Sequence, residues 1–388
     1  MTQRLRILFS HGYRPFFLLA GLNAWASMLP WLYTLSGGSV PTQGWPPQTL
    51  HAHEMIFGTV VAVIAGFLLT AVPNWTSTTR VSGMPLVGLV ALYFAGRLAL
   101  VLSDQLGHVV TGIVDVAFLP AVVLAVGKPI VESRNWRNTP VVAVLVGLAL
   151  ANTAIHVGRA GSDAAMLRAG TYSSVYLVVV MMIIISGRVV PAFTGNALRR
   201  AGVEASVSNR VIVGPLAIAF AVASMLSDLV LPGSDVALGL ALVASPLLLI
   251  RQSGWEFRKT LDQPMLWVLH VGHAWLAIGF GCLGVSGLFG IGIGAAAIHA
   301  FTAGAMGTLM LGMMPRVSLG HSGRPIEATH AIVWMFVFAI AGAVVRVGGA
   351  SGPPELYLPG ILLGGALWTA AWVLYTFTCS KALFAESS

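Results

Sequence analysis

His51 and His53, with Glu54 directly after them, open one apolar run, while His156 and His299 lie in two others. Neutral imidazole is a ligand for copper, non-heme iron and heme iron. A carboxylate beside it can complete a metal site or carry protons. His51 and His53 are two residues apart, about 200° around a regular helix, so they face different partners unless His51 precedes the helix. His270 and His273 are three apart and share a face. These ten histidines (11, 51, 53, 108, 156, 270, 273, 299, 321 and 330) stand out because the 388 residues include only 21 Lys+Arg and 13 Asp+Glu.

The elements that must position them follow from composition. Charged residues make up 9% of the chain and hydrophobic ones 57%, against roughly 25% charged in a soluble domain. Mean hydropathy is +0.86. A cytosolic enzyme, a disordered chain and a disulfide scaffold are excluded. Cys282 and Cys379 both lie in apolar runs and form no CxxC. Twelve apolar runs have the length of membrane helices: 16–36, 52–73, 84–103, 110–128, 139–158, 171–192, 209–230, 234–251, 264–286, 292–314, 328–348 and 355–379. They lack the alternation of barrel strands and are about twice as long. The expectation is an all-α polytopic membrane protein, 1–388 forming a single transmembrane domain with short loops. The first run follows Arg4 and Arg6 like a signal peptide, but it continues through Met28, Trp31 and Leu35, too far for one.

Basic residues set the orientation. With the N-terminus inside, the inner segments hold 17 basic residues and the outer ones three, Arg159, Arg168 and Arg346, with Arg97 inside the third run. Both termini are therefore expected in the cytoplasm. The charge is a topology signal, with no nucleic-acid partner implied. On this layout His51, His53, His156 and His299 come from three helices and share an outer depth. His270 and His273 sit about two turns in from the inner side, by helix rise. His11, His321 and His330 lie near the inner face and His108 in an outer loop.

A histidine within a span is a functional candidate. The alternative for each is a hydrogen bond to a neighbouring helix. His51, His53, His156 and His299 are the metal candidates. Glu54 either ligates, relays protons or bonds a helix N-terminus. Arg97 can neutralise a heme propionate or pair with an acid such as Asp115. His299, Thr302 and Met306 share a face on a regular helix. Gly279–Gly284 matches GxGxxG without a βαβ unit and is no dinucleotide site. The glycines at 281, 284, 287, 290, 292 and 294 read as close helix packing and a tight turn. No CxxCH is present to attach heme covalently.

Gly12-Tyr13-Arg14-Pro15-Phe16-Phe17, His51-Ala52-His53-Glu54-Met55-Ile56-Phe57-Gly58 and Gly66 through Thr76, with its Val72-Pro73-Asn74-Trp75-Thr76 box, resemble the NnrS family. So do Gly187 through Thr194 and the stretch from His299 to Arg324. The resemblance runs from about residue 11 to about 330. It implies a bacterial inner-membrane protein of twelve helices with heme and copper, acting on nitric oxide in denitrification or nitrosative stress. The family's pattern carries over to His51, His53, Glu54, His299, His321, His156 and His270. It would carry an aromatic residue at His273, so this chain departs from it there. Which imidazole holds heme and which copper stays open.

Three functions fit these residues. A redox enzyme would turn two NO, two electrons and two protons into nitrous oxide and water, with electrons from an unidentified donor. It needs heme iron near copper or non-heme iron and an acid route, with Glu54 as the proton group. Non-covalent heme b would take its axial imidazole from His299 first, with His53 and His270 as further candidates and Arg97 nearby. A binding or protective protein would hold NO, heme or copper without turnover. A secondary transporter would use the histidines as a proton relay. The topology comes first: reporter fusions after residues 45 and 165 should read outside, and those after 200 and 385 inside. An outside signal at 385 overturns the even span count.

Overall fold

The computed structural model describes residues 2–204, 206–208, 210–288 and 294–385, and among them every regular element is helical. After a short helix, Gln3–Leu8, twelve helices are long and apolar enough to cross a membrane. They are α1 (Tyr13–Leu35), α2 (Pro47–Thr76), α3 (Met84–Val101), α4 (Ser103–Glu132), α5 (Trp136–Ala160) and α6 (Ala164–Arg200). The others are α7 (Val213–Val230), α8 (Asp235–Ser253), α9 (Pro264–Gly287), α10 (Gly294–His321), α11 (His330–Ser351) and α12 (Pro354–Leu383). Each coincides with one of the twelve apolar runs.

Several helices extend beyond the run that announced them. A helix does not stop where the hydrocarbon does. Pro47 starts α2 at a position whose N–H needs no partner. Arg199 and Arg200 close α6, where positive charge suits the negative end of the helix dipole. Part of the expected glycine turn after α9, residues 289–293, lies outside the described residues.

The chain falls into two compact units. The first comprises Met1–Leu177, Val317–Pro325 and Thr376–Ser388; the second comprises Val178–Arg316 and Ile326–Tyr375. In the first, α2 is the helix most surrounded by others, with 83% of its most apolar window buried; in the second, α10 has 72%, and no other span exceeds 61%. These two helices share a feature that apolar periodicity does not reveal. Each switches to a π-helical segment immediately after a histidine: Glu54–Val60 follows His53, and Ala300–Met306 follows His299. A π turn takes in one more residue than an α turn, and such segments occur frequently at functional sites. The shared face expected for His299, Thr302 and Met306 on a regular helix therefore does not carry past Ala300.

Small residues let helices approach closely within the second unit, as they do when lipid supplies no hydrophobic drive between helices. Gly281, Gly284 and Gly287 of α9 pack on Ser245, Leu242 and Leu238 of α8. At the α11–α12 crossing, a Cβ on Gly349 would lie 2.8 Å from Gly360 Cα. Gly348, one residue earlier, has nothing within 4 Å of that position. Gly349→Val should therefore lower stability by about 1–3 kcal/mol through overpacking. Gly348→Ala should leave it unchanged. Thermal unfolding in detergent checks this, and equal midpoints for the two variants would refute the close crossing.

Candidate functional site

The polar centre of the first unit is built on α2, where His53 is the last α-helical residue before the π segment. His53 is buried, and its Nε2 lies 2.9 Å from Asn152 Oδ1 and 3.2 Å from Asp115 Oδ2. Its Nδ1 lies 3.3 Å from Glu54 Oε1. Asp115 enters from α4 and is also buried. Its Oδ2 accepts from Asn152 Nδ2 at 2.8 Å and lies 3.0 Å from His156 Nε2. Asn152 and His156 both come from α5, one turn apart. Among the described residues, His53, Asp115 and His156 are the one group of three whose ligand atoms lie close enough to share a metal ion, all within 4.8 Å of one another.

Arg97 of α3 joins both carboxylates. It donates to Glu54 Oε1 at 2.6 Å and pairs with Asp115 Oδ1. Glycine at 96 makes this possible, because a Cβ there would lie 2.9 Å from Asp115 Oδ1. Asn23 of α1 holds the chain at the start of the π segment, donating to Glu54 O and Thr59 Oγ1, both at 3.1 Å. Tyr93 OH donates to Gly58 O at 2.7 Å. The loop between α1 and α2 covers the centre with Trp45, which is 2% exposed and whose ring centroid lies 5.3 Å from His53 and 5.5 Å from His156. Arg159 stacks over Trp45 at 4.5 Å and anchors the same loop by donating to Gln43 O at 2.6 Å.

The charges do not cancel within this set. Two carboxylates face one guanidinium, which leaves one negative charge. A buried charge needs a counter-charge. A proton on the imidazole pair or a bound cation supplies it. His156 Nδ1 has no hydrogen-bond partner among the described residues.

The four outer candidates are thus distributed. His53 and His156 come together with Asp115. His51 turns to another partner and stacks on Trp31, ring centroids 4.7 Å apart and nearly parallel at 10°. This is the outcome that their spacing of two implies. His299 belongs to the second unit. Its Nδ1 donates to Ala295 O at 2.8 Å, which leaves the lone pair on Nε2. Arg97 takes the acid-pairing role of its two alternatives. Sequence reasoning missed Asn152, whose signal was its spacing of four from His156 in an otherwise apolar stretch. It also missed the parts played by Trp45 and Arg159, which no local spacing encodes.

The second unit holds a different polar pair on α9. His270 and His273 are completely buried. His270 Nε2 lies 3.0 Å from Thr194 Oγ1, and His273 Nδ1 lies 2.8 Å from Ser186 Oγ, both hydroxyls on α6. His270 Nδ1 and His273 Nε2 have no hydrogen-bond partner among the described residues. Trp255 packs on His273 with ring centroids 4.5 Å apart.

No curated protein matches this chain. The model of the family described as NnrS protein matches residues 7–386. That match takes in both units and every residue of the buried His53–Asp115–His156 centre, and the chain belongs to the NnrS family.

Proposed function

We propose that this multi-pass protein of the bacterial inner membrane reduces or detoxifies nitric oxide, holding heme b and a second metal, copper or non-heme iron. The observation that carries this reading is the buried His53–Asp115–His156 group. Two imidazoles and one carboxylate are a donor set for iron or copper. The two nitrogens lie 3.2 and 3.0 Å from the shared Asp115 Oδ2. Both nitrogens point at the same carboxylate oxygen, and an ion bound there would take the place of their protons. The negative charge that Arg97 leaves over is met by a proton on the imidazole pair or by a cation. Glu54 contacts the other ring nitrogen of His53, Nδ1, in the manner of partners that tune metal ligands.

For heme, the donor chemistry favours His299, whose Nδ1 is committed to a backbone carbonyl and whose Nε2 is left to ligate. The partnerless nitrogens of His270 and His273 offer a second possibility. Heme iron and a second metal, when bound, supply open coordination positions for NO and a path for electrons. In this reading Glu54 holds and moves a proton. Its carboxylate contacts His53 Nδ1 and Arg97 without belonging to the three-residue group. NO is small and uncharged and reaches such a centre through lipid, so short loops and an apolar surround suit it.

One observation favours the non-catalytic alternative, a protein that binds NO, heme or copper protectively. Arg97 already links both carboxylates, so the centre holds together by ion pairing alone. Metal analysis and turnover separate the two. Asp115→Asn and His156→Ala should lose most of the second metal and keep heme. His299→Ala should lose heme and keep the second metal. Glu54→Gln should keep both and slow NO consumption about 100-fold or more. Protein loaded with heme and metal that consumes no NO when given electrons would refute turnover and leave the binding reading.

A further inference from the structure

Arg346 is buried near the end of α11, only 8% exposed. Its Nη1 has no hydrogen-bond partner among the described residues. The oxygen that acts on its charge is the hydroxyl of Tyr357 on α12, a neutral group. Among the described residues, no carboxylate pairs with it. A guanidinium buried among apolar helices needs an anion.

The stem of Arg346 is fixed where α11 crosses α12. A Cβ on Gly364 of α12 would lie 2.9 Å from Arg346 Cβ. One on Gly342, a turn earlier in α11, would lie 2.8 Å from Trp368 N. The head acts electrostatically on His299, across the packed helices α10 and α11. No hydrogen bond joins the two among the described residues. Their levels agree. His299 is five residues after Gly294, the first described residue of α10, and Arg346 is five before Ser351, the last of α11. Consecutive spans run in opposite directions, so by helix rise both lie about 8 Å in from neighbouring helix ends. His299 is also partly exposed within α10, which leaves its free Nε2 within reach of a ligand, whereas His270 and His273 are completely buried.

We propose that Arg346 anchors a propionate of the heme that His299 holds. The proposal rests on the assignment of heme to His299 made above. Heme carries its two propionates on one edge of the ring, away from the iron. Their partner therefore belongs near the axial imidazole without touching it, which is how Arg346 stands to His299. A guanidinium fork matches a carboxylate in shape and charge. Arg97, whose place inside a span suits the same role, is held by Glu54 and Asp115 in the first unit. The residues fit the group, with a lone pair on His299 for the iron and an unanswered buried charge on Arg346 for a propionate.

The positive charge also gives the site a redox signature. A cation at the heme edge favours the ferrous over the ferric state, because the ferric iron carries one more positive charge. Removing it lowers the midpoint potential. An arginine with a purely structural part in the α11–α12 crossing would not act on the potential.

The test uses the full-length protein purified with its heme. Three quantities are read: heme content, the rate of heme transfer to excess apomyoglobin, and the midpoint potential at mildly alkaline pH. Arg346→Gln should release heme at least tenfold faster and lower the potential, where a tenfold change in the preference for ferrous heme corresponds to 59 mV. Arg346→Lys keeps the charge without the fork, and should release heme faster than wild type with a smaller fall in potential. If Arg346→Gln does not fold, Arg346→Lys carries the test alone. An arginine that only stretches its stem toward the membrane surface would leave both variants at the wild-type rate and potential, and that result overturns the proposal. His299→Ala separates this outcome from failure of the underlying assignment. Full heme content in His299→Ala overturns the assignment and the anchor together. Heme lost from His299→Ala, with wild-type behaviour in the Arg346 variants, overturns the anchor alone.

Discussion

An ionised side chain among apolar helices is stable only if its charge is answered nearby. In the first unit one guanidinium shared between two carboxylates meets part of this constraint, and a proton on the imidazole pair or a cation meets the rest. Arg97 of α3 reaches Glu54 of α2 and Asp115 of α4 together. The remaining oxygen of Asp115 then faces Asn152 and His156 of α5. Four helices are thereby tied at one level by a few polar atoms. A shift of any of them by one residue would leave a charge unanswered in an apolar surround. The register of these helices, the glycine at 96 and the cover provided by Trp45 all follow from that requirement.

The second unit answers the same constraint without charge. His270 and His273 rest on hydroxyls of α6, and each has one ring nitrogen with no hydrogen-bond partner among the described residues. Neutral imidazoles against neutral hydroxyls need no counter-ion, so a neutral lone pair remains for a ligand. In the first unit, the excess negative charge suits a cation or a proton. The two polar centres therefore suit different chemistry, although both units share one construction device. In each, the most buried helix turns π-helical directly after a histidine. A π turn leaves backbone groups out of regular spacing, and here Asn23 and Tyr93 satisfy some of them.

The basic end of the first unit shows how one residue type serves two purposes. Arginine on short loops orients a membrane protein whatever else it does. Arg80 also bonds His11 and lines a hollow with Arg6. Counting charges along the chain raises only the expectation of the first role. Only the fold shows that residues 6, 11 and 80 border one open hollow.

Much of this is legible in the amino-acid sequence. The number of spans followed from apolar length, because a helix must bury its backbone polar groups within itself to cross a membrane. The partition of His51 from His53 followed from helical geometry, and His51 indeed stacks on Trp31 while His53 meets Asp115. Arg97 and Asp115 were recognisable as possible partners because charge is so scarce. The π segments were not legible, since they change hydrogen bonding while leaving composition untouched. Nor was the grouping of His53 with His156 and not with His51, which depends on how α2 and α5 are rotated against each other. Local sequence determines which residues must be buried and how they space along a helix. Which buried residue meets which is decided by long-range packing, where the pairing of scarce charges selects one arrangement of helices from many that would bury the same apolar surface.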